Sequence, residues 1–408
     1  MLKRTMMMAG AAVAALALAA CSGGGGDAGG DGGGSASGEV IKIGAALPMT
    51  GGLASFGPMI EAGYQQLVDD VNAEGGIEID GQSHQLELVV RDSESDSNKV
   101  AEATRSLVLD DGVVGLLGSV TPPLQVPAST VAEAEQIPFV GTLTPVQSWL
   151  AGNTEGWNYA WNFFFDEDEM TALQYEVADL AETNKKVALF TDNAEDGTVF
   201  NAMWSEKAGE FGYEIAYSAT FPIGTTDFTQ YINELKASDA DVLMAQMIPP
   251  DAMALWKQLK AADVDLKVAF AEKAASTSAW PGELGEIAEG TMITDWFLPG
   301  DPKGEELLEQ FSAQVGKNPE ATAAILAYSA AQVLVDAIER AGSTDPAAIN
   351  DEIAKTSTMV PSGYQIEFGD DHASRIAPVS SQWVGPDTQQ IFPQVEGISL
   401  VVPVAGLQ

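Results

Sequence analysis

Cysteine is almost missing: Cys21 stands alone among 408 residues, so the chain cannot close a disulfide on itself and its fold must be held by burial. Histidine is nearly as scarce. His84 and His372 lie far apart, and neither sits in a zinc-protease spacing such as HExxH. No GxSxG elbow occurs, so the commonest marker of a serine hydrolase is missing too. Basic residues are few, with 19 Lys and Arg against 59 Asp and Glu and a formal net charge of −40. Phosphate backbones and anionic lipid surfaces would both be repelled, and no basic patch interrupts the imbalance, so no nucleic-acid partner is expected. The carboxylates read mainly as a solvated face suited to a salty or extracellular setting, and they are too numerous to point to a glycosidase. The expectation is a binding protein rather than an enzyme, with no cofactor and no metal.

What is present begins at the N-terminus. Lys3 and Arg4, the apolar run Met6 to Leu18 and the small residues Ala19-Ala20 before Cys21 have the layout of a secretory signal. The run is too short to span a bilayer comfortably. A thiol directly after such a site resembles the lipobox of bacterial lipoproteins, in which the cysteine carries a diacylglycerol thioether and becomes the first mature residue. That resemblance implies a signal peptide over 1–20 and lipidation at Cys21; the plainer alternative makes Cys21 part of the apolar run. Ser22 to Gly38 is almost all glycine, serine and aspartate and reads as a flexible tether over 21–38. Gly24, Gly26 and Gly29 satisfy GxGxxG there, but no strand precedes them and no helix follows.

From Glu39 onward, short apolar runs alternate with amphipathic helical stretches. Val40 to Gly44 reads as a strand, and Ile60, Tyr64, Leu67, Val68 and Val71 then mark one face of a helix stopped by Gly75-Gly76. Leu86 to Val90, Val113 to Leu117 and Ile137 to Val140 continue the strands. A second series follows the aromatic stretch Trp157 to Phe165, with strands over 187–191, 213–219, 242–247, 267–271 and 292–294. Asp227 and Gln230 could form a capping box for one of its helices. Repeated βα units imply parallel sheets covered on both faces. The fold class is therefore α/β with two lobes. The long helix 321–341 and a strand-like run 375–384 come last, so the chain returns to each lobe. The boundaries expected are 39–157 with 297–374 for the first lobe and 158–296 with 375–408 for the second.

The residues also carry a family resemblance. Ile43 to Gly57 (IGAALPMTGGLASFG), followed by a helix and Asn72 to Ile77 (NAEGGI), resembles the opening of the branched-chain amino-acid-binding (Leu/Ile/Val-binding) proteins. The likeness continues through Gly118-Ser119, Pro127 to Ser129, Ile137 to Phe139, Thr226 to Phe228, Ala240 to Val242, Glu289 to Thr291 and Ala327 to Ala331. It implies a two-lobed type I periplasmic-binding fold, each lobe a mainly parallel sheet flanked by helices, with three crossovers between them. It implies an extracytoplasmic receptor of an ATP-binding-cassette importer that captures a small solute, most simply a branched-chain or related amino acid, by lobe closure. Its partners would be that solute, the membrane permease and, through Cys21, the membrane; a monomer is expected. Alternatives of the same fold bind an aromatic acid, an amide or urea-like compound or a cation, or present ligand to a separate sensor.

Loops beyond the strand carboxyl ends should face the cleft. The resemblance places Phe56 against the ligand, unless it is only a helix-start staple. Ser119, Thr121, Thr142 and Thr144 follow two strands of the first lobe, where hydroxyls and backbone N–H groups can grip an acid; polar loop caps are the alternative. The family's carboxylate-binding serine aligns with Pro122, which has no donor. Asp196 stands where the second lobe usually has tyrosine. Glu272 matches the acid that meets a ligand ammonium, with Lys273 beside it as a neutralising neighbour; a solvated loop acid is the alternative for both carboxylates. Among many aromatics, Trp161, Trp280 and Trp296 are the candidates for a ligand wall, the remainder being core.

Overall fold

Runs such as Ile43 to Leu47 and Val242 to Ala245 offer water no polar side chain, so they become interior strands with helices on both faces. A computed structural model describes residues 38–408 apart from 316–318 and 395–396. Cys21, the signal segment and the tether to residue 37 lie outside the described residues.

The first sheet has the order Ala373–Arg375, Ala160–Phe164, Phe139–Gly141, Gly115–Leu117, Ile41–Leu47, Leu86–Asp92. All its neighbours pair in parallel. In the second sheet, Met292–Asp295, Val268–Glu272, Val242–Gln246, Lys186–Asp192 and Glu214–Phe221 run in parallel. Val379–Val384 then joins antiparallel to Met292–Asp295, and Asp387–Phe392 antiparallel to it.

Among the described residues the strands pass between the sheets three times. The first passage follows Ala160–Phe164, the second follows Met292–Asp295, and the third separates Ala373–Arg375 from Val379–Val384. These passages differ in detail from the sequence expectation. The aromatic strand 160–164 belongs to the first sheet, because its fully buried residues are needed beside Phe139–Gly141; the boundary thus falls after Phe164 instead of at 157. The single strand expected over 375–384 is two strands in different sheets. Pro378 lies between them and has no N–H to continue a ladder. Asp227 accepts from the Thr229 N–H at 3.0 Å, an Asx-type turn two residues on, instead of the box with Gln230.

The helix Glu320–Ala341 is apolar and long enough to cross a membrane, but 89 % of its most apolar stretch is buried in the protein. It packs on the helix Gly57–Ala73, and Gly63 makes that approach possible: a methyl group there would collide with the Ala324 carbonyl. Polar ties cross the passages. Arg375 meets Asp166 at 2.9 Å, joining the first passage to the third. Asp295 accepts from Trp296 N at 2.8 Å, Ser381 Oγ at 3.1 Å and Thr322 Oγ1 at 3.2 Å, so one carboxylate ties the second passage to both lobes.

Candidate functional site

The carboxyl ends of eight parallel strands, four from each sheet, and the loops beyond them surround one space. This space is a cleft, partly open to solvent, of about 480 Å³ with its open part included. From the first lobe it is lined by Phe56, Val120, Thr121, Pro122, Leu143 and Pro145. The second lobe supplies Asp196, Phe200, Gln246, Glu272, Lys273 and Ser276. The passages add Phe164, Phe165 and Trp296, with Met170 just beyond. Phe164 stands 3.8 Å from Phe165 and 5.5 Å from Trp296, centroid to centroid, so the aromatic corner lies on the segments that must bend if the lobes move.

The first-lobe wall is shaped by backbone. Asp92, at the end of its strand, accepts from Met49 N at 3.0 Å, Thr50 N at 3.2 Å and Thr50 Oγ1 at 2.7 Å, and Ser95 Oγ accepts from Leu53 N at 3.0 Å. These bonds fix the loop that delivers Phe56. Thr121 and Leu143 have φ of 60° and 55°, and the Thr121 N–H donates to the Leu143 carbonyl at 3.2 Å. Two non-glycine residues in left-handed geometry side by side are held there by surrounding structure, as is common at binding sites.

The second-lobe wall is built from charge. Lys273 is 6 % exposed at its side chain; its Nζ lies 2.8 Å from Asp196 and 3.5 Å from Asp192. Burial alone would lower the lysine pKa, but the two carboxylates outweigh it and raise it above the ordinary lysine value. Asp192 is pushed up by burial and by Asp196, against the pull of Lys273. Asp196 lies in the first turn of the helix Glu195–Glu210, where the helix dipole favours an acid. Gly197 beside it lets that turn approach Asp192, whose carbonyl a methyl group would strike. Gln246 donates to Asp196 Oδ2 at 2.7 Å.

Glu272 is buried differently. Its Oε1 accepts from Gln174 Nε2 at 2.6 Å, Thr294 Oγ1 at 2.8 Å and Thr294 N at 3.0 Å, and its Oε2 shares Thr294 N at 3.1 Å. Burial pushes its pKa up to about 7 despite these bonds. Lys273 therefore neutralises Asp196 and Asp192 instead of Glu272, because Glu272 turns inward along its strand while the next residue, at φ 63°, swings its side chain toward the helix start.

Of the ten ligand contacts expected from the sequence, Phe56, Thr121, Asp196, Glu272 and Trp296 line the cavity. Thr142 does not: its Oγ1 donates to the Phe163 carbonyl at 2.9 Å inside the sheet. Ser119 and Thr144 are buried beside the cavity without lining it, and neither hydroxyl has a partner among the described residues. Trp161 stacks on His372 at 3.6 Å and donates to Asn350, and it does not line the cavity. Trp280 packs edge-on to Trp256 in the core of the second lobe. The missed residues are mostly apolar, such as Val120, Leu143, Pro145 and Met170, and nothing in their local pattern separates a cavity wall from core. Gln246 and Lys273 were reachable, as polar residues at or just beyond the ends of buried strands.

Residues 40–378 match the periplasmic binding protein family. The chain belongs to that family. It is 27 % identical over 337 residues to the leucine-, isoleucine-, valine-, threonine- and alanine-binding protein of Pseudomonas aeruginosa, covering 81 % of this chain and 86 % of that one. Among solved structures, the branched-chain amino-acid transporter substrate-binding protein LivJ of Streptococcus pneumoniae, in complex with isoleucine, superposes with a TM-score of 0.75 at 23 % identity, over 89 % of this chain and all of that one. A solute-binding protein of R. palustris in complex with benzoate superposes with a TM-score of 0.73 at 18 % identity, over 86 % of this chain and 95 % of that one. These likenesses are to the type I periplasmic-binding fold, which the two sheets and three passages display.

Proposed function

We propose that the protein is an extracytoplasmic receptor of an ABC importer that takes up a small, mainly apolar solute with a polar end, a branched-chain or related amino acid. The observation that carries this reading is a single cavity lined from both lobes and from the passages between them, in a chain of this family. A ligand touching both walls at once favours the closed arrangement over the open one, so binding shifts the population toward the form a permease can recognise. Phe56, Leu143, Phe164 and Trp296 would surround the apolar part, and Thr121 and Asp196 would face the polar end. Nothing in this arrangement calls for bond making or breaking.

A lipid anchor at Cys21 belongs to the same reading, since a receptor held at the membrane stays near its importer; Cys21→Ser should move the protein from membrane to soluble fractions. A second ligand class, a cationic amine without a carboxylate, is favoured by one specific observation. Pro122 and Pro145 occupy first-lobe positions where no side-chain donor can hold a carboxylate, and the cavity is rich in aromatic rings. The test is a thermal-shift panel of leucine, isoleucine, valine, benzoate, simple amides and primary amines, followed by small-angle scattering on each hit. A ligand bound only by the native state raises the melting midpoint, and closure lowers the radius of gyration. Stabilisation by branched-chain amino acids with closure supports the proposal; stabilisation by benzoate alone overturns the ligand class while leaving the receptor in place.

A further inference from the structure

In a cavity wall, polar atoms buried without partners are places where a ligand gains by supplying them, because leaving a donor or acceptor dry and unpaired is costly. Among the described residues lining the cavity, four such atoms occur: Asp196 Oδ1, Gln246 Oε1, Thr121 Oγ1 and Trp296 Nε1. The first two belong to side chains bonded to each other, since Gln246 Nε2 donates to Asp196 Oδ2. Both unpaired atoms are acceptors. A ligand group that satisfies them must carry at least two N–H or O–H donors on one atom or on neighbouring atoms.

The charges point the same way. Asp192 and Asp196 share one cation, Lys273, so acids outnumber bases two to one among these nearly buried side chains of the second-lobe wall. An anionic group placed there would add to that excess, whereas an ammonium would cancel it. Glu272 is a poorer candidate than its place on the wall suggests, because its carboxylate oxygens already accept from Gln174 and from both the hydroxyl and the N–H of Thr294. Those partners hold it as part of the second lobe's core.

We infer that Asp196 Oδ1 and Gln246 Oε1 form the subsite for a primary ammonium group of the ligand, that Lys273 positions Asp196 for this contact, and that Glu272 supports the lobe instead of touching the ligand. The inference rests on the cavity being the solute site. It makes the amine, and not the carboxylate, the group required for recognition. The aromatic corner of Phe164, Phe165 and Trp296 fits this assignment, since ring faces tolerate a neighbouring cation.

Three probes separate the contributions: leucine, 3-methylbutan-1-amine, which lacks the carboxylate, and 4-methylpentanoate, which lacks the amine. Calorimetric titration of the full protein should find the acid at least a hundredfold weaker than leucine, and the amine within about tenfold of it. Asp196→Asn should weaken leucine and the amine roughly ten- to a hundredfold, as expected for loss of a charge-assisted bond, and should leave or improve binding of the acid. Gln246→Leu should weaken the amine-bearing probes by a smaller factor, and Glu272→Gln should change them by less than about threefold. Lys273→Arg keeps a cation at Asp196 and should retain amine binding better than Lys273→Met, which a purely structural lysine would not require once melting curves are matched.

Acid binding as tight as leucine, or equal losses in Asp196→Asn and Glu272→Gln, would overturn the assignment. If benzylamine or another amine binds and leucine does not, the subsite stands and the branched-chain reading fails. If only carboxylates bind, the receptor reading stands and the subsite fails.

Discussion

The first lobe lines the cavity with Phe56, Val120, Pro122, Leu143 and Pro145, and the second with Asp196, Gln246, Glu272 and Lys273. Both are made from loops at the carboxyl ends of parallel strands, so topology does not explain the contrast. Side-chain chemistry does. The first lobe fixes shape through backbone held in unusual geometry at Thr121 and Leu143, while the second holds four ionisable side chains, Asp192, Asp196, Glu272 and Lys273, almost out of water. One wall can select size and contour; the other can select charge and donors. A closing receptor built this way tests a solute twice, and only a molecule that satisfies both walls stabilises the closed form.

The contrast can be broken most sharply at Lys273. Replacing it by methionine leaves Asp192 and Asp196 facing each other without a cation, and breaking a buried pair in this way typically costs about 3–5 kcal/mol. Urea denaturation should show that loss, and Asp196→Asn in the same chain should recover much of it, because the two changes are coupled. A loss below about 1 kcal/mol would mean the second wall is far wetter than its burial implies.

Glu272 supplies the next effect. Its folded pKa of about 7 lies above the ordinary glutamate value, so between those two values the native state holds a proton that the unfolded chain has released. Its contribution to stability is therefore fully present at acid pH and lost as pH rises through about 7. Glu272→Gln should remove that slope and be more stable than the wild type at pH 8, by on the order of 2 kcal/mol. Melting curves from pH 4.5 to 8 are the check. Glu167, also pushed up to about 7 by burial, will leave a residual slope in the variant. A first-lobe variant such as Leu143→Ala should lower stability at every pH without altering the slope.

The smallest expected effect sits in the first wall. Thr121 has φ 60° and ψ 149°, a region suited to glycine. Thr121→Gly should relieve the strain and stabilise the empty protein by about 1 kcal/mol, while weakening binding through loss of an unpaired hydroxyl. If the variant is less stable than the wild type, the loop is held by the threonine side chain instead of despite its backbone.

The alternation of apolar runs and amphipathic helices was enough to state two α/β lobes and a chain that visits each more than once, since strand and helix periods are local properties. It also carried the candidates Phe56, Thr121, Asp196, Glu272 and Trp296 to the cavity, because strand ends are legible and parallel sheets present them on one edge. What the local pattern could not decide was which side of a strand end a side chain takes. Thr142 turns into the sheet and Thr121 lines the cavity, though each follows a strand by a few residues. Nor could it say that the aromatic strand 160–164 completes the first sheet, because buried strands of either lobe look alike in composition.

Pairing was the last thing left to the tertiary structure. Lys273 is adjacent to Glu272 in sequence, yet its charge goes to Asp192 and Asp196, some eighty residues earlier on another strand and helix. Coulomb attraction acts through space and grows as water leaves, so partners are chosen by whichever acids the sheet brings within reach. That strands form, roughly where they end, and that acids greatly outnumber bases are local or compositional properties of the chain. Only the packed sheets decided which acids stayed dry, which received Lys273, and which oxygens were left facing the cavity without a partner.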